Sequence, residues 1–280
     1  MNHKFLLSLI TSIICAMSIQ AQVMQKDNNG VYTINSGNAV MTVDCQRGGK
    51  ITSLTLDGKE LIAQHKKIEG MPFENFNDYG STFWPSPQST CNWPPIATYD
   101  SKPYKAEVND KKLILTSGKD EKYPYIFKKT FLPIGSGKYS ITYTIINNSD
   151  TAVSVAPWEI TRVPSGGEIF FEASSIRPDN EVEYTQEKGI IHIPFVPVAR
   201  KNRKIFADAK GWLCFADNGL LFKKTFADIT HEQAAPGEDE VEIYRNFGTT
   251  YTEIENQGAF VTIQPKQEHS WNVLWEIANK

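Results

Sequence analysis

Two glutamates stand two residues apart, Glu253 and Glu255, in the segment YTEIENQG at 251–258. On an extended strand they share a face with Tyr251, while Thr252 and Ile254 point the other way. Alternation alone would make this the outward polar face of a half-buried strand. A third acid, Glu159, lies between Trp158 and Ile160 and faces opposite to both. As a surface group it would pair with Arg162 or a nearby lysine, at little gain. As a functional group it would face Glu255 across a ligand. Two carboxylates flanking one sugar suit general acid–base chemistry when their surroundings push their pKa values apart, and a glycoside hydrolase would use the same pair. The expectation is that Glu159 and Glu255 share a face, within about 10 Å of each other.

Other side chains could hold a ligand. Lys224 alternates with Phe222 and Phe226, so it can point into an aromatic face as a sugar or carboxylate contact, or snorkel to water. Trp84, Trp93 and Trp158 are stacking platforms for a sugar, and Gln88 offers both a donor and an acceptor. Trp212, Trp271 and Trp275 sit within strand patterns and read as core. His65, His192, His231 and His269 lie in no motif. Neither HExxH nor an Asp-rich calcium loop is present, so neither a metal nor another cofactor is expected. No Ser-His-Asp order, phosphate loop or dinucleotide fingerprint occurs.

The elements that must position these groups are strands. Period-2 alternation recurs at Val31–Ile34, Ala39–Cys45, Ile51–Leu56, Lys112–Thr116, Tyr125–Leu132 and Lys138–Ile146. It continues at Ala152–Ile160, Gly189–Ile193, Trp212–Phe215, Leu220–Phe226, Val241–Tyr244, Thr249–Glu255, Ala259–Ile263 and Ser270–Ile277. Turn chemistry separates the runs: Asp57–Gly58, Gly135–Gly137, Asn147–Asp150, Asp217–Gly219 and Asn256–Gly258. Many short strands with regular turns predict a sandwich or barrel. The stretch Phe83–Pro95 carries Pro85, Pro87, Pro94 and Pro95, so it reads as a stiff loop that is either a lid over the core or a wall of a site.

Met1–Lys4 hold one lysine and no acid, and an apolar run follows to Ile19. A basic start, an apolar core of about 15 residues and a small residue at the exit match a cleavable export signal over residues 1–21. The run is short for a membrane span, which needs about 20 residues. Cys15 would suit a lipoprotein signal, but Ile14 before it does not. The expected mature chain is one domain, residues 22–280, periplasmic or secreted. It keeps 28 lysines and arginines against 32 acids, which gives no footprint for nucleic acid or an anionic membrane surface. Cys45, Cys91 and Cys214 read as buried or partly buried thiols, and three permit at most one internal disulfide.

Two distant segments resemble the galactose mutarotase-like (aldose 1-epimerase-like) superfamily, in a secreted branch. GGKITSLTLDGKELI at Gly48–Ile62 resembles its opening hairpin. YTEIENQG resembles the strand with the catalytic glutamate, with Glu255 and Gln257 in the matching positions. WNVLWEI at Trp271–Ile277 is similar to its last strand. The resemblance implies an all-β fold, a large twisted β-sandwich whose concave sheet holds a sugar. It also implies a glutamate base on the anomeric hydroxyl and a histidine acid on the ring oxygen. The stretch APWEITR at Ala156–Arg162, where that histidine belongs, has none, and Glu159 stands about where the acid should be. The Trp- and Pro-rich Gly80–Pro95 segment replaces the sugar-holding arginine loop. The expected partner is therefore a mono- or oligosaccharide. Glu255 and Glu159 are the catalytic candidates, and Trp84, Gln88, Trp93, Trp158, Arg162, Lys224 and Glu253 the binding candidates. A non-catalytic carbohydrate-binding module and a glycan-cleaving hydrolase or lyase remain the alternatives.

Overall fold

The computed structural model describes residues 24–65, 77–179, 182–194, 201–245, 247–248 and 251–280. The export signal expected over 1–21, and Thr249 at the start of one expected strand, lie outside them. In chain order the strands are β1 Met24–Lys26, β2 Val31–Ser36, β3 Ala39–Asp44, β4 Lys50–Leu56, β5 Lys59–Glu60, β6 Ser81–Ser86 and β7 Lys105–Asn109. Then come β8 Lys112–Thr116, β9 Tyr125–Gly135, β10 Lys138–Asn147, β11 Val153–Pro164, β12 Glu168–Asp179, β13 Thr185–Glu187 and β14 Ile190–Ile193. The last are β15 Arg203–Ala209, β16 Trp212–Asp217, β17 Leu220–Thr225, β18 Val241–Arg245, β19 Tyr251–Gln257, β20 Val261–Ile263 and β21 Glu268–Asn279. A four-residue helix, α1 Ala97–Asp100, follows β6.

The strands form two layers of antiparallel sheet. The first runs β1-β2-β3-β4-β6-β11-β19-β18-β15-β12. The second runs β7-β8-β9-β10-β21-β17-β16-β12. Strand β12 belongs to both. Its first residues pair with β14 and β16, and its later ones with β15 after a register shift between Ala173 and Ser175. A shift of this kind bends a strand and lets it change layers.

The apolar halves of the alternating strands meet between the layers. Phe83 of the first sheet stacks on Tyr143 of the second at 4.3 Å, and Tyr99 stacks on Phe127 at 4.2 Å. Trp275 and Trp271 are buried, as their strand patterns predict, whereas Trp212 is only half-buried. Cys45, Cys91 and Cys214 are free thiols, two of them buried.

Three sequence expectations need correction. Phe83–Ser86 is strand rather than loop, paired with β11 so that Pro85 stands opposite Pro157. Beyond the contact at Ser81, β6 has no strand partner on its other edge among the described residues, so a residue without an N–H is tolerated there. Asn256 and Gln257 continue β19 instead of turning. Strands β7, β12 and β15 carried no clear alternation. In β15 the start is charged, RKIFADA, and β12 divides its faces between two layers.

Candidate functional site

Register assigns each strand-borne candidate to a face, whereas Gln88 and Trp93 lie beyond the end of β6. In the first sheet Trp158 pairs with Trp84 and Gln257, Ile160 with Glu255, and Arg162 with Glu253. Directly paired residues project to the same side. The next strands extend the row, with Glu242 opposite Glu255, Tyr244 opposite Glu253, Lys204 opposite Tyr244 and Phe206 opposite Glu242. The outer face of this sheet is therefore a band of acids, bases and aromatic rings. Its inner face holds Phe83, Val163, Ile254 and Ile243, all in the core.

Glu255 is the centre of that band. It is only 1% exposed. Its Oε2 accepts from Trp158 Nε1 at 2.9 Å and from Lys204 Nζ at 3.3 Å. Lys204 also forms an ion pair with Glu242. Gln257 Nε2 donates to Glu242 Oε1 at 2.8 Å, and the amide of Asp239 reaches the same oxygen at 3.3 Å. Burial pushes the Glu255 carboxyl up to about 7, with Lys204 pulling it down and the Glu253 and Glu238 charges adding to the rise. Burial likewise raises Glu242 well above the carboxylate range, against Lys204. For Lys204, burial lowers the pKa, but Glu242 and Glu255 more than offset it and the ammonium keeps its proton. Two buried carboxylates around one ammonium cannot both ionise cheaply, so near neutrality the pair retains a proton.

The tryptophans adjoin this centre. Trp84 and Trp158 meet edge to face at 5.5 Å, and with Ile160 they form a small apolar cluster outside the main core. Trp84 Nε1 donates to Asp100 Oδ1 at 2.9 Å, at the end of α1. Gly48, the first of the glycine pair before the opening hairpin, makes room for that helix end: a Cβ on it would lie 2.1 Å from the Asp100 carbonyl oxygen. Trp93 stands 64% exposed, its ring 6.4 Å from Trp84. A crevice lined by Trp84, Gln88, Trp93 and Trp158 opens beside them. Gln88 is half-buried, and its backbone N–H donates to Glu238 Oε1 at 3.1 Å. Trp84 is more enclosed, at 7%, than a wall of a cleft would be. Arg162 is wholly buried, fixed by Glu253 Oε1 at 2.9 Å and Thr82 Oγ1 at 2.9 Å, with its guanidinium 5.5 Å from the Trp84 ring.

Two expected members are elsewhere. Glu159 and Glu255 do not share a face. Glu159 points into the core, where Tyr143 Oη donates to it at 2.5 Å and Trp275 Nε1 at 3.2 Å. Lys224 is its ion-pair partner at 2.7 Å, fully buried, and also donates to Thr161 Oγ1 at 3.0 Å. The alternation was read correctly, since Glu159 does face away from Trp158 and Ile160. The expectation of a shared face fails because Glu159 pairs with Asn256, one position out of step with Glu255. Lys224 does enter an aromatic face, 5.7 Å from the Trp275 ring, but that face is the interior and its carboxylate contact is Glu159. Sequence reasoning missed Glu242 and Lys204. Glu242 alternates with Val241 and Ile243 in VEIYR, a signal that was available but looks like any polar face. Lys204 lay in a strand that was not recognised.

The antiparallel two-layer sandwich is the galactose mutarotase-like fold. A galactose mutarotase-like protein from Clostridium acetobutylicum superposes with a TM-score of 0.63 at 12% identity, over 92% of this chain and 98% of that one. One from Lactobacillus casei gives 0.61 at 12% identity, over 89% of this chain and 100% of that one. A protein of Escherichia coli K12 described as a candidate aldose 1-epimerase gives 0.57 at 12% identity, over 89% and 99%. No protein-family description matches the chain, and no curated protein matches it either. Among the described residues no helix is long and apolar enough to cross a membrane.

Proposed function

We propose that this is an exported carbohydrate-active protein that binds a mono- or oligosaccharide on the outer face of its first sheet and carries out aldose 1-epimerase-like chemistry there. The observation that carries the reading is the Glu255–Lys204–Glu242 arrangement. Ring opening needs a base at the anomeric hydroxyl and an acid at the ring oxygen. A carboxyl pair that holds one proton near neutrality supplies one of each. In this reading Glu255 takes the anomeric proton and Glu242 fills the acid role expected of Glu159. The C1–ring-oxygen bond breaks, C1 turns, and the ring recloses with the proton returned. The neighbours described as mutarotase-like or as a candidate aldose 1-epimerase support the same reaction class. Export rests on the basic–apolar–small order of residues 1–21.

A non-catalytic binding module is favoured by one observation: Glu255 is almost fully covered and held by Trp158 and Lys204. Polarimetry or proton NMR of freshly dissolved aldoses separates the two. Equilibration accelerated by the protein and lost in Glu255→Gln supports the epimerase. Binding without acceleration supports the module, and new reducing ends or unsaturated products would show a glycan-cleaving enzyme instead.

A further inference from the structure

Lys204 is held in the way a cationic ligand would be. Its ammonium lies 5.4 Å from the ring centre of Trp158, 5.2 Å from Phe206 and 5.9 Å from Tyr244. Glu242 and Glu255 complete the cage as ion-pair partners. Aromatic faces and carboxylates converging on a desolvated ammonium are the usual chemistry of amine recognition.

With one proton held between Glu242 and Glu255, Lys204 balances that pair, and any further negative charge comes from Glu238. Glu238, only 9% exposed, adds its charge to both Glu242 and Glu255. Gln257 is wholly buried; its Nε2 is spent on Glu242, and its Oε1 has no partner among the described residues. An unpaired buried acceptor beside surplus carboxylate calls for a further donor. Arg162 is engaged by Glu253 and Thr82, and Arg177 by Asp239 at 3.2 Å. An anionic ligand at Arg162 would have to break its buried pair with Glu253 and leave that acid uncompensated, which is costly, while the half-exposed Arg177 lies beside Asp239.

We propose that this face selects a sugar bearing a protonated amine, whose ammonium lodges against Glu238, Glu242 and Glu255 beside Lys204. The inference rests on the carbohydrate reading above. Neutral parents bind more weakly, and uronic acids and sugar phosphates weakest. Placing a second cation against Glu255 and Glu242 favours their ionised forms, so binding at pH 7 releases a proton. The groups facing that pair are Lys204 of β15, Glu253 of β19, Glu238 ahead of β18, Tyr244 of β18 and the indole of Trp158, with the Lys224 charge of β17 acting on Glu255 from the core side.

Isothermal titration calorimetry at pH 7 tests this with 2-amino sugars, their neutral parents and the matching uronates in the gluco, galacto and manno configurations. The amine should bind about tenfold or more tighter than its parent, a difference of ~1.4 kcal/mol. The heat should vary with the ionisation enthalpy of the buffer, reporting proton release. Glu242→Gln should reduce the preference, and the more accessible Glu238→Gln provides the same comparison should the first variant fold poorly. A uronate that binds as tightly as the amine overturns the inference alone. So do neutral parents that bind as tightly as the amines, or a preference unchanged in both variants. Binding by none of the sugars overturns the carbohydrate reading and this inference with it.

Discussion

Glu242 stands directly opposite Glu255 in the β18–β19 pair, and both carboxylates meet the single ammonium of Lys204. Glutamine at either position keeps the shape and removes one ionisable group. Under the epimerase reading, Glu255→Gln and Glu242→Gln should each lower the rate of mutarotation by about a hundredfold or more, the scale of one proton-transfer partner. Stability should move the other way. The folded Glu255 carboxyl holds its proton to about pH 7, whereas the unfolded one releases it near 4.5. Between those values the native state binds more protons, so the Glu255 contribution falls as pH rises through the window. Glu255→Gln should therefore melt no lower than wild type at pH 8. A sharp fall in melting temperature would show that the carboxylate is needed to hold Lys204.

The Glu159–Lys224 pair is a test of the core. Both groups are fully enclosed, and Tyr143 and Trp275 complete the shell of Glu159. Burial lowers the Lys224 pKa, and Glu159 opposes that shift. Lys224→Met leaves a carboxylate in the interior without its ammonium, which should cost about 3–5 kcal/mol in urea unfolding. The double variant Lys224→Met with Glu159→Gln should recover most of that loss, because no charge is left stranded. Sugar binding by the folded double variant should be unchanged. If the double variant is no more stable than the single, the cost comes from packing rather than from the unpaired charge.

The fold was legible because most strands of both sheets keep a period-2 alternation. Lys138–Ile146 was read to within a residue of β10, and Val241–Tyr244 to within one of β18. What alternation gives is two faces for each strand. It does not say which face is interior, and Glu159 shows the consequence. A carboxylate between Trp158 and Ile160 looks like the polar side of a half-buried strand. Here the tryptophan lies outside, over Glu255, and the acid lies inside because Lys224 of a distant strand comes to meet it. Pairing between positions so far apart leaves no local trace. Lys204 was hidden for a related reason: β15 opens on two cations, and only cross-strand pairing with β18 and β12 makes that run a strand. The ENQG segment was legible only in part: Glu255 reads as strand, but the Asn-Gln-Gly order has turn chemistry and hides that Asn256 and Gln257 continue β19.

Glu240 offers a pH-dependent check independent of any ligand. It lies just ahead of β18, almost wholly buried, with Oε1 accepting from the Ile229 amide at 3.1 Å and Oε2 without a partner among the described residues. Burial pushes its carboxyl up to about 8, helped by the charges of Asp228 and Asp208 and opposed by backbone N–H donors. The folded group keeps its proton while the unfolded one loses it near 4.5, so native stability falls as pH rises from 4.5 to about 8. Glu240→Gln retains an acceptor for Ile229 and cannot ionise. It should match wild type near pH 4.5 and exceed it at pH 8 by a few kcal/mol, at about 1.4 kcal/mol for each pH unit of the shift. A gap that stays constant across this range would place the effect in packing.

Trp93 distinguishes a binding wall from a structural plug. It is 64% exposed, meets Trp84 edge to face, and lines the narrow crevice shared with Gln88 and Trp158. An exposed ring contributes little to folding, so Trp93→Ala should change stability by no more than about 0.5 kcal/mol. The same ring on a stiff segment can stack on a sugar with little ordering cost, since the indole has few rotatable bonds and its neighbours are already fixed. Under the carbohydrate reading, glycan affinity should fall by about tenfold, the scale of one aromatic contact. Trp84→Ala is the contrasting variant. Trp84 is enclosed against Trp158 and Ile160 and anchored on Asp100, so its loss should lower the melting temperature as well as binding. Thermal melts and titration with the same oligosaccharide read both effects. A Trp93→Ala protein that melts several degrees lower and binds as before would make the segment a plug, and the carbohydrate face would then have to lie over Glu255 and Tyr244 alone.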